Sequence, residues 1–229
     1  MTADMRLSNL VPNPVRAYLK NLRRDFDLRA ALRPLRQKGR MTDGEVAAFH
    51  RAWGNEGFAA DKDYLARLLT MLETGPVLEC GTGGTTLLAN VMGERNGFST
   101  YCLEQNPEWA KPVNRSLTLT STVRVLDAPL RDFGEYHWYD PREVLPIHFA
   151  LVICDGPYID AALGEPFYSA WRYGVLPWLN STGRTFDALL LDDVNDPRAP
   201  AILRRWESEF GVNVNRLSSS NGEYAIVTP

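Results

Sequence analysis

After Gly75 the chain alternates short apolar runs with stretches of helical spacing, and this alternation constrains the fold more than any other feature. Apolar runs at Val77–Cys80, Thr100–Glu104, Val123–Leu126, Phe149–Cys154 and Ala188–Leu191 predict strands. Stretches near Thr85–Met92, Pro107–Leu117, Ile159–Tyr173 and Ala199–Phe210 predict helices between or after them. Short strands separated by helices build a parallel sheet covered on both faces. The tail departs from this rhythm. Val212–Leu217 and Tyr224–Val227 are joined by Ser218-Ser219-Ser220-Asn221-Gly222, too short for a crossover helix, and so predict an antiparallel hairpin. The expected α/β domain spans residues 75–229, with a doubly wound, mostly parallel seven-stranded sheet that ends in this hairpin.

Residues 1–74 predict a helical extension. Between Val11 and Leu35, the residues Val15, Tyr18, Leu19, Leu22 and Phe26 recur at three- and four-residue steps with arginines around them, the pattern of a basic amphipathic helix. Pro34 is expected to end it, and Lys38-Gly39-Arg40 reads as a linker. Thr42 with Glu45 has capping-box spacing, which starts a helix through Val46, Phe49 and Trp53; another is expected from Asp61 to Leu72. Residues 1–40 hold ten basic and three acidic side chains, although the whole chain carries a net charge of −3. A basic head on an acidic body implies either that the head docks on the body, as a lid or dimer arm, or that it meets an acidic partner or membrane surface.

The 229 residues, 45% hydrophobic, suffice for a sizeable core. No apolar run is long enough to span a membrane and no secretory start is visible. Cys80, Cys102 and Cys154 stand singly in apolar contexts, which fits small buried hydrophobes and a cytoplasmic location.

The most specific string is Val77-Leu78-Glu79-Cys80-Gly81-Thr82-Gly83-Gly84-Thr85-Thr86. It places glycines where a strand turns into a helix, so that backbone and helix N–H groups can approach a ligand closely. A dinucleotide fingerprint would need glycine at position 86, where Thr86 stands, so a nicotinamide site is disfavoured. Glu79, two residues before the first glycine, suits a cationic group better than a phosphate. Glu104, Asp127, Asp155 and the pair Asp192-Asp193 end later strands, so that the acids converge on one crevice, where open parallel sheets bind ligands.

With this motif the chain resembles the class I S-adenosylmethionine-dependent methyltransferases over roughly residues 75–229. The resemblance implies a Rossmann-like fold and S-adenosylmethionine as cofactor. It puts Gly81, Thr82, Gly83 and Thr85 beneath the methionine and ribose, with Glu79 at the methionine end. Glu104 would accept from the ribose hydroxyls, and Asp127 with Ala128 would hold the adenine. Asp155, Asp192 and Asp193 resemble the Mg²⁺ or other divalent-cation site of the catechol O-methyltransferase group, which implies transfer to an oxygen of a small-molecule acceptor. That group has a lysine three residues beyond its first metal acid, where this chain has Tyr158. Asp155-Gly156-Pro157-Tyr158 also partly resembles the acid–Pro–Pro–aromatic motif of amine methyltransferases, which keeps N-methylation open. His137 and His148 are candidate bases, and Tyr136 or Trp138 a candidate pocket wall; nucleic acid is a minor alternative because the body is acidic. A homodimer, or an interaction protein that works through the basic helix, also remains open.

Overall fold

The computed structural model describes residues 13–54, 59–159, 162, 164 and 170–229, with side chains from residue 19 onward. Three helices come first: α1 (Asn13–Lys38), α2 (Asp43–Trp53) and α3 (Lys62–Met71). β1 (Val77–Cys80), α4 (Gly84–Asn96), β2 (Thr100–Glu104), α5 (Pro107–Ser116) and β3 (Val123–Asp127) follow, then a small hairpin of β4 (Leu130–Asp132) and β5 (His137–Tyr139). The chain continues through β6 (His148–Cys154), α6 (Val175–Ser181), β7 (Thr185–Leu191), α7 (Ala199–Phe210), β8 (Asn213–Ser218) and β9 (Glu223–Thr228).

The main sheet has the order β3-β2-β1-β6-β7-β9-β8. Its first five strands run parallel, while β9 is antiparallel to both β7 and β8. This is the Rossmann-like sheet with a terminal antiparallel hairpin that the sequence predicts. The chain winds outward from β1 through β2 to β3, then returns to β6 on the other side of β1. The reversal opens a crevice at the C-terminal ends of β1 and β6.

Alternating side chains give the sheet two cores. Val77, Leu151, Ile153 and Leu190 face one side, where helices α1 to α5 pack. Leu78, Cys80, Val152, Cys154, Leu189 and Leu191 face the other, packed by α6, α7 and aromatic residues of the β4–β5 hairpin. All three cysteines are buried and free.

The N-terminal helices depart from the sequence expectations in one respect. α1 does not stop at Pro34 but runs through it to Lys38. Leu32 and Leu35, on either side of the proline, are buried in the first core with Leu28, and this packing outweighs the missing N–H donor. The Thr42 capping box forms as expected: the Glu45 N–H donates to Thr42 Oγ1 at 3.3 Å, and the Thr42 N–H to the Glu45 carboxylate at 2.8 Å. The helix expected over Ile159–Tyr173 lies largely outside the described residues, and α6 is an additional short helix after it.

Candidate active site

A cleft of 570 Å³ opens over the C-terminal ends of β1, β2, β6 and β7, within the range of roughly 300–1,000 Å³ typical of small-molecule sites. Its floor is the contact of two backbone turns. Gly81 sits at φ +90°, and a Cβ there would come within 3.2 Å of the Gly156 backbone nitrogen. A Cβ on Gly156 would collide with the Tyr139 hydroxyl and lie 3.1 Å from the Cys80 carbonyl oxygen. The Gly156 N–H donates to that carbonyl at 2.7 Å, locking the turn after β6 onto the end of β1. Glycine is therefore required at position 156 by this close approach.

Glu104 lies on the cleft wall, only 7% exposed. One carboxylate oxygen accepts from the Thr82 N–H at 2.9 Å and the Thr82 hydroxyl at 2.7 Å, the other from the Asn106 N–H at 2.8 Å. These bonds tie the glycine turn to the end of β2 and leave a carboxylate at the cleft in one fixed orientation. Trp109, on the first turn of α5, also lines the cleft.

Glu79 takes a different position from the one expected. It is fully buried behind the glycine turn and does not line the cleft. The Thr85 hydroxyl donates to one of its oxygens, and the Cys102 thiol lies 2.8 Å from the other. Burial pushes its pKa up to about 7 against the pull of these donors. Gly83 and Thr85 line a narrow extension of the cleft, walled by Phe49 and Trp53 of α2. Asp127 is exposed at the end of β3, in register with Glu104, and Ala128 is buried with its N–H on the Glu104 carbonyl; neither lines the cleft.

At the other end Asp155, Asp192 and Asp193 do come together, but around a guanidinium. Arg172, buried, donates to Asp155 Oδ1 and Asp193 Oδ2 at 2.9 Å each, and to the Asp192 carbonyl oxygen at 2.6 Å. Among the described residues no group of three His, Cys, Asp or Glu side chains is placed to hold a metal ion. The three acids therefore do not fit the divalent site expected from sequence: Arg172 already supplies the positive charge that three crowded carboxylates require. Even so, burial raises Asp155 despite Arg172, with Asp193 adding to the shift. Asp192 is raised well above the usual carboxylate range by burial and by its two acidic neighbours.

Two non-glycine residues among those described have positive φ, Trp171 at 37° and Asp193 at 57°. Both belong to this cluster: one precedes Arg172 and the other accepts from it. Strained backbone concentrated around one ion-pair network marks a site whose geometry is held by the rest of the fold.

Tyr158 borders the cleft with a largely exposed side chain, and its carbonyl accepts from Gln105 Nε2 at 2.9 Å. His137 is on β5 and does not line the cleft. His148 lies at the N-terminal end of β6, the opposite edge of the sheet, against Thr185 and Asp187. Trp138 and Tyr136 are packed into the second core, so the residue that the hairpin contributes to the cleft is Tyr139. Sequence reasoning missed Tyr139, Trp109 and Arg172. Trp109 carried a signal, since it falls on the first turn of the helix that follows a strand-end acid; Arg172, in a run of core aromatics, carried none.

The strand order and the cleft at its reversal define a Rossmann-like domain whose sheet ends in an antiparallel hairpin. Among solved structures, the chain is similar to the N-terminal domain of human METTL16 in complex with SAH, at 12% identity over 81% of each chain and a TM-score of 0.49. It is similar to SAH-bound Podospora anserina methyltransferase PaMTH1 at 13% identity, over 82% of this chain and 87% of that one, with a TM-score of 0.49. A third is precorrin-6y C5,15-methyltransferase from Geobacter metallireducens, at 15% identity over 76% and 95% of the two chains and a TM-score of 0.45. Likenesses at this level concern the fold alone. No protein-family model matches the chain, and no curated protein matches it in sequence.

Proposed function

We propose that the protein is an S-adenosylmethionine-dependent methyltransferase acting on a small-molecule acceptor. The observation that carries this reading is the convergence of the Gly81–Thr82 turn, the fixed Glu104 carboxylate and Asp155 on one cleft at the strand-order reversal. The cleft suits a cationic nucleoside cofactor. Glu104 offers an acceptor to a ribose diol, Trp109 offers an aromatic wall to a base, and carboxylates outnumber the guanidinium groups of Arg172 and Arg198. When bound, the cofactor supplies an activated methyl group, so the protein's task is to orient the acceptor and remove its proton.

Asp155 is the candidate proton acceptor, with a pKa raised toward the working range of a base. Arg172 is a positioning residue that fixes one Asp155 oxygen, and the Tyr139 hydroxyl and Tyr158 border the same space. For an oxygen acceptor, Asp155 would then do what the sequence assigns to a metal. An amine acceptor is the second reading, favoured by the surplus of carboxylates around Asp155, Asp192, Asp193 and Asp196.

Calorimetric titration with S-adenosylmethionine tests the reading. Saturable binding is expected, weakened about tenfold in Glu104→Gln, the order of one lost charge-assisted hydrogen bond. No heat from well-folded protein removes the proposal. Turnover of hydroxyl and amine panels, each with and without chelator, then identifies the acceptor atom; unchanged rates with chelator are expected.

A further inference from the structure

The apolar stripe that the sequence places on the first helix has two possible uses, packing on the body or meeting something else. In the structure its described members do not pack. Leu19, Leu22 and Phe26 are 52%, 47% and 72% exposed. The same helix reaches the body through Leu28, Leu32 and Leu35, all at most 4% exposed. At 100° per residue the two sets point roughly 150° apart around the helix axis. Between Leu19 and Phe26, α1 thus turns its apolar side away from the protein that its second half is packed against.

The charges extend the same outward side. Arg29, Arg33 and Arg36 are exposed and follow Phe26 at three- and four-residue steps, on the side of α1 that also bears the stripe. Leu19 to Arg36 spans about 25 Å of helix. Arg23 is exposed on its flank, paired with Asp27 at 3.8 Å, while Lys20 is exposed further round the helix. The surface is therefore a row of large apolar side chains continued and flanked by cations.

We propose that this face of α1 docks on an anionic lipid surface, with Leu19, Leu22 and Phe26 entering the headgroup boundary and the arginines meeting lipid phosphates. Apolar insertion combined with attraction between cations and acidic headgroups is the physics of interfacial helices. No described helix is long and apolar enough to cross a membrane, so the contact is peripheral. A parallel pairing with a second copy of α1 fits less well, because it would bring the Arg29, Arg33 and Arg36 rows together. The acidic body would be repelled by the same surface, which orients the molecule with α1 toward the lipid and the body away.

Cosedimentation of the full chain with vesicles is the test. Binding to phosphatidylcholine–phosphatidylglycerol vesicles, little binding to phosphatidylcholine alone, and weakening with added salt are expected. Leu19→Ser/Leu22→Ser/Phe26→Ser should abolish binding, and Arg29→Ala/Arg33→Ala/Arg36→Ala should lower the partition coefficient about a hundredfold, at about fivefold per cation. All six side chains are exposed, so both variants should melt like the parent. Absence of vesicle binding, equal binding to neutral vesicles, or binding indifferent to both variants overturns the proposal. So does a dimer in sedimentation velocity that the triple serine variant dissolves without any vesicle binding by the parent.

Discussion

Glu79 is the residue at which the glycine turn and its acidity are coupled most closely. Its carboxyl is fully buried and held by Thr85 and Cys102, with a pKa of about 7 against 4.5 for the exposed group. A carboxyl whose folded pKa is raised favours the native state at low pH, where it is protonated in both states. That contribution is lost as pH rises from 4.5 through 7, because the unfolded chain releases the proton first. The shift corresponds to about 3 kcal/mol. Glu79→Gln keeps the size and the acceptor while removing the titration, so its stability in urea should exceed the parent's by a margin that grows from pH 4.5 to about 7, stays constant above that, and vanishes in acid. Equal pH slopes for the two proteins would remove the assignment. Gly156→Ala tests the floor of the cleft: the added methyl meets the Tyr139 hydroxyl and two backbone atoms, and should cost about 1–3 kcal/mol. Tyr139→Phe in the same chain should recover part of this loss, since the hydroxyl is the nearest obstacle. The acids at the strand ends could be read from sequence because each follows an apolar run. The state of Glu79 could not, since it depends on burial by an α4 that only folding brings over it.

Between elements, Arg172 joins the ends of β6 and β7 to the turn that leads into α6. It is the cluster's main structural surprise. The adjacent strand-end acids were visible in the sequence, but their counter-ion was not: Arg172 lies 17 residues from Asp155 and 21 from Asp193, with no periodicity to mark it. Carboxylates that converge need a cation, and sequence alone could not distinguish a metal ion from a side chain folded in from elsewhere. The left-handed backbone at Asp193 gives this arrangement a measurable signature. Asn accepts that conformation and alanine does not, so Asp193→Asn should lose only the ion pair, whereas Asp193→Ala should lose a further ~1–2 kcal/mol. Similar melting of the two variants would mean that the backbone at Asp193 relaxes freely. The strand bounds show what was legible: β1 and β2 fall on the expected residues, because short apolar runs closed by glycine or an acid leave little latitude. Pro34 shows what was not, since a local rule against proline in helices gave way to long-range contacts of Leu32 and Leu35.

At the scale of the whole molecule, the N-terminal helices and the sheet share one core. Leu28, Leu32 and Leu35 of α1 belong to the same buried cluster as Phe49 and Trp53 of α2, Leu87 and Leu88 of α4, and Val77 of β1. Trp53 in turn packs over Gly84 at the start of α4, where an added Cβ would lie 3.3 Å from its ring. A continuous path of contacts therefore runs from α1 through α2 to the glycine turn, so the first helix supports the cleft as well as presenting its outward face. The two roles separate by substitution. Leu32→Ala should cost about 2–5 kcal/mol, as a buried large-to-small change does, and Phe26→Ala, at 72% exposure, should stay within ~0.5 kcal/mol of the parent. Removing residues 1–40 takes away all three leucines, so the remaining chain should melt earlier and bind S-adenosylmethionine more weakly, although none of the described cleft-lining residues has been deleted. Equal melting and equal affinity for residues 41–229 alone would make the helix a separable appendage, and the path through α2 would then carry nothing to the site.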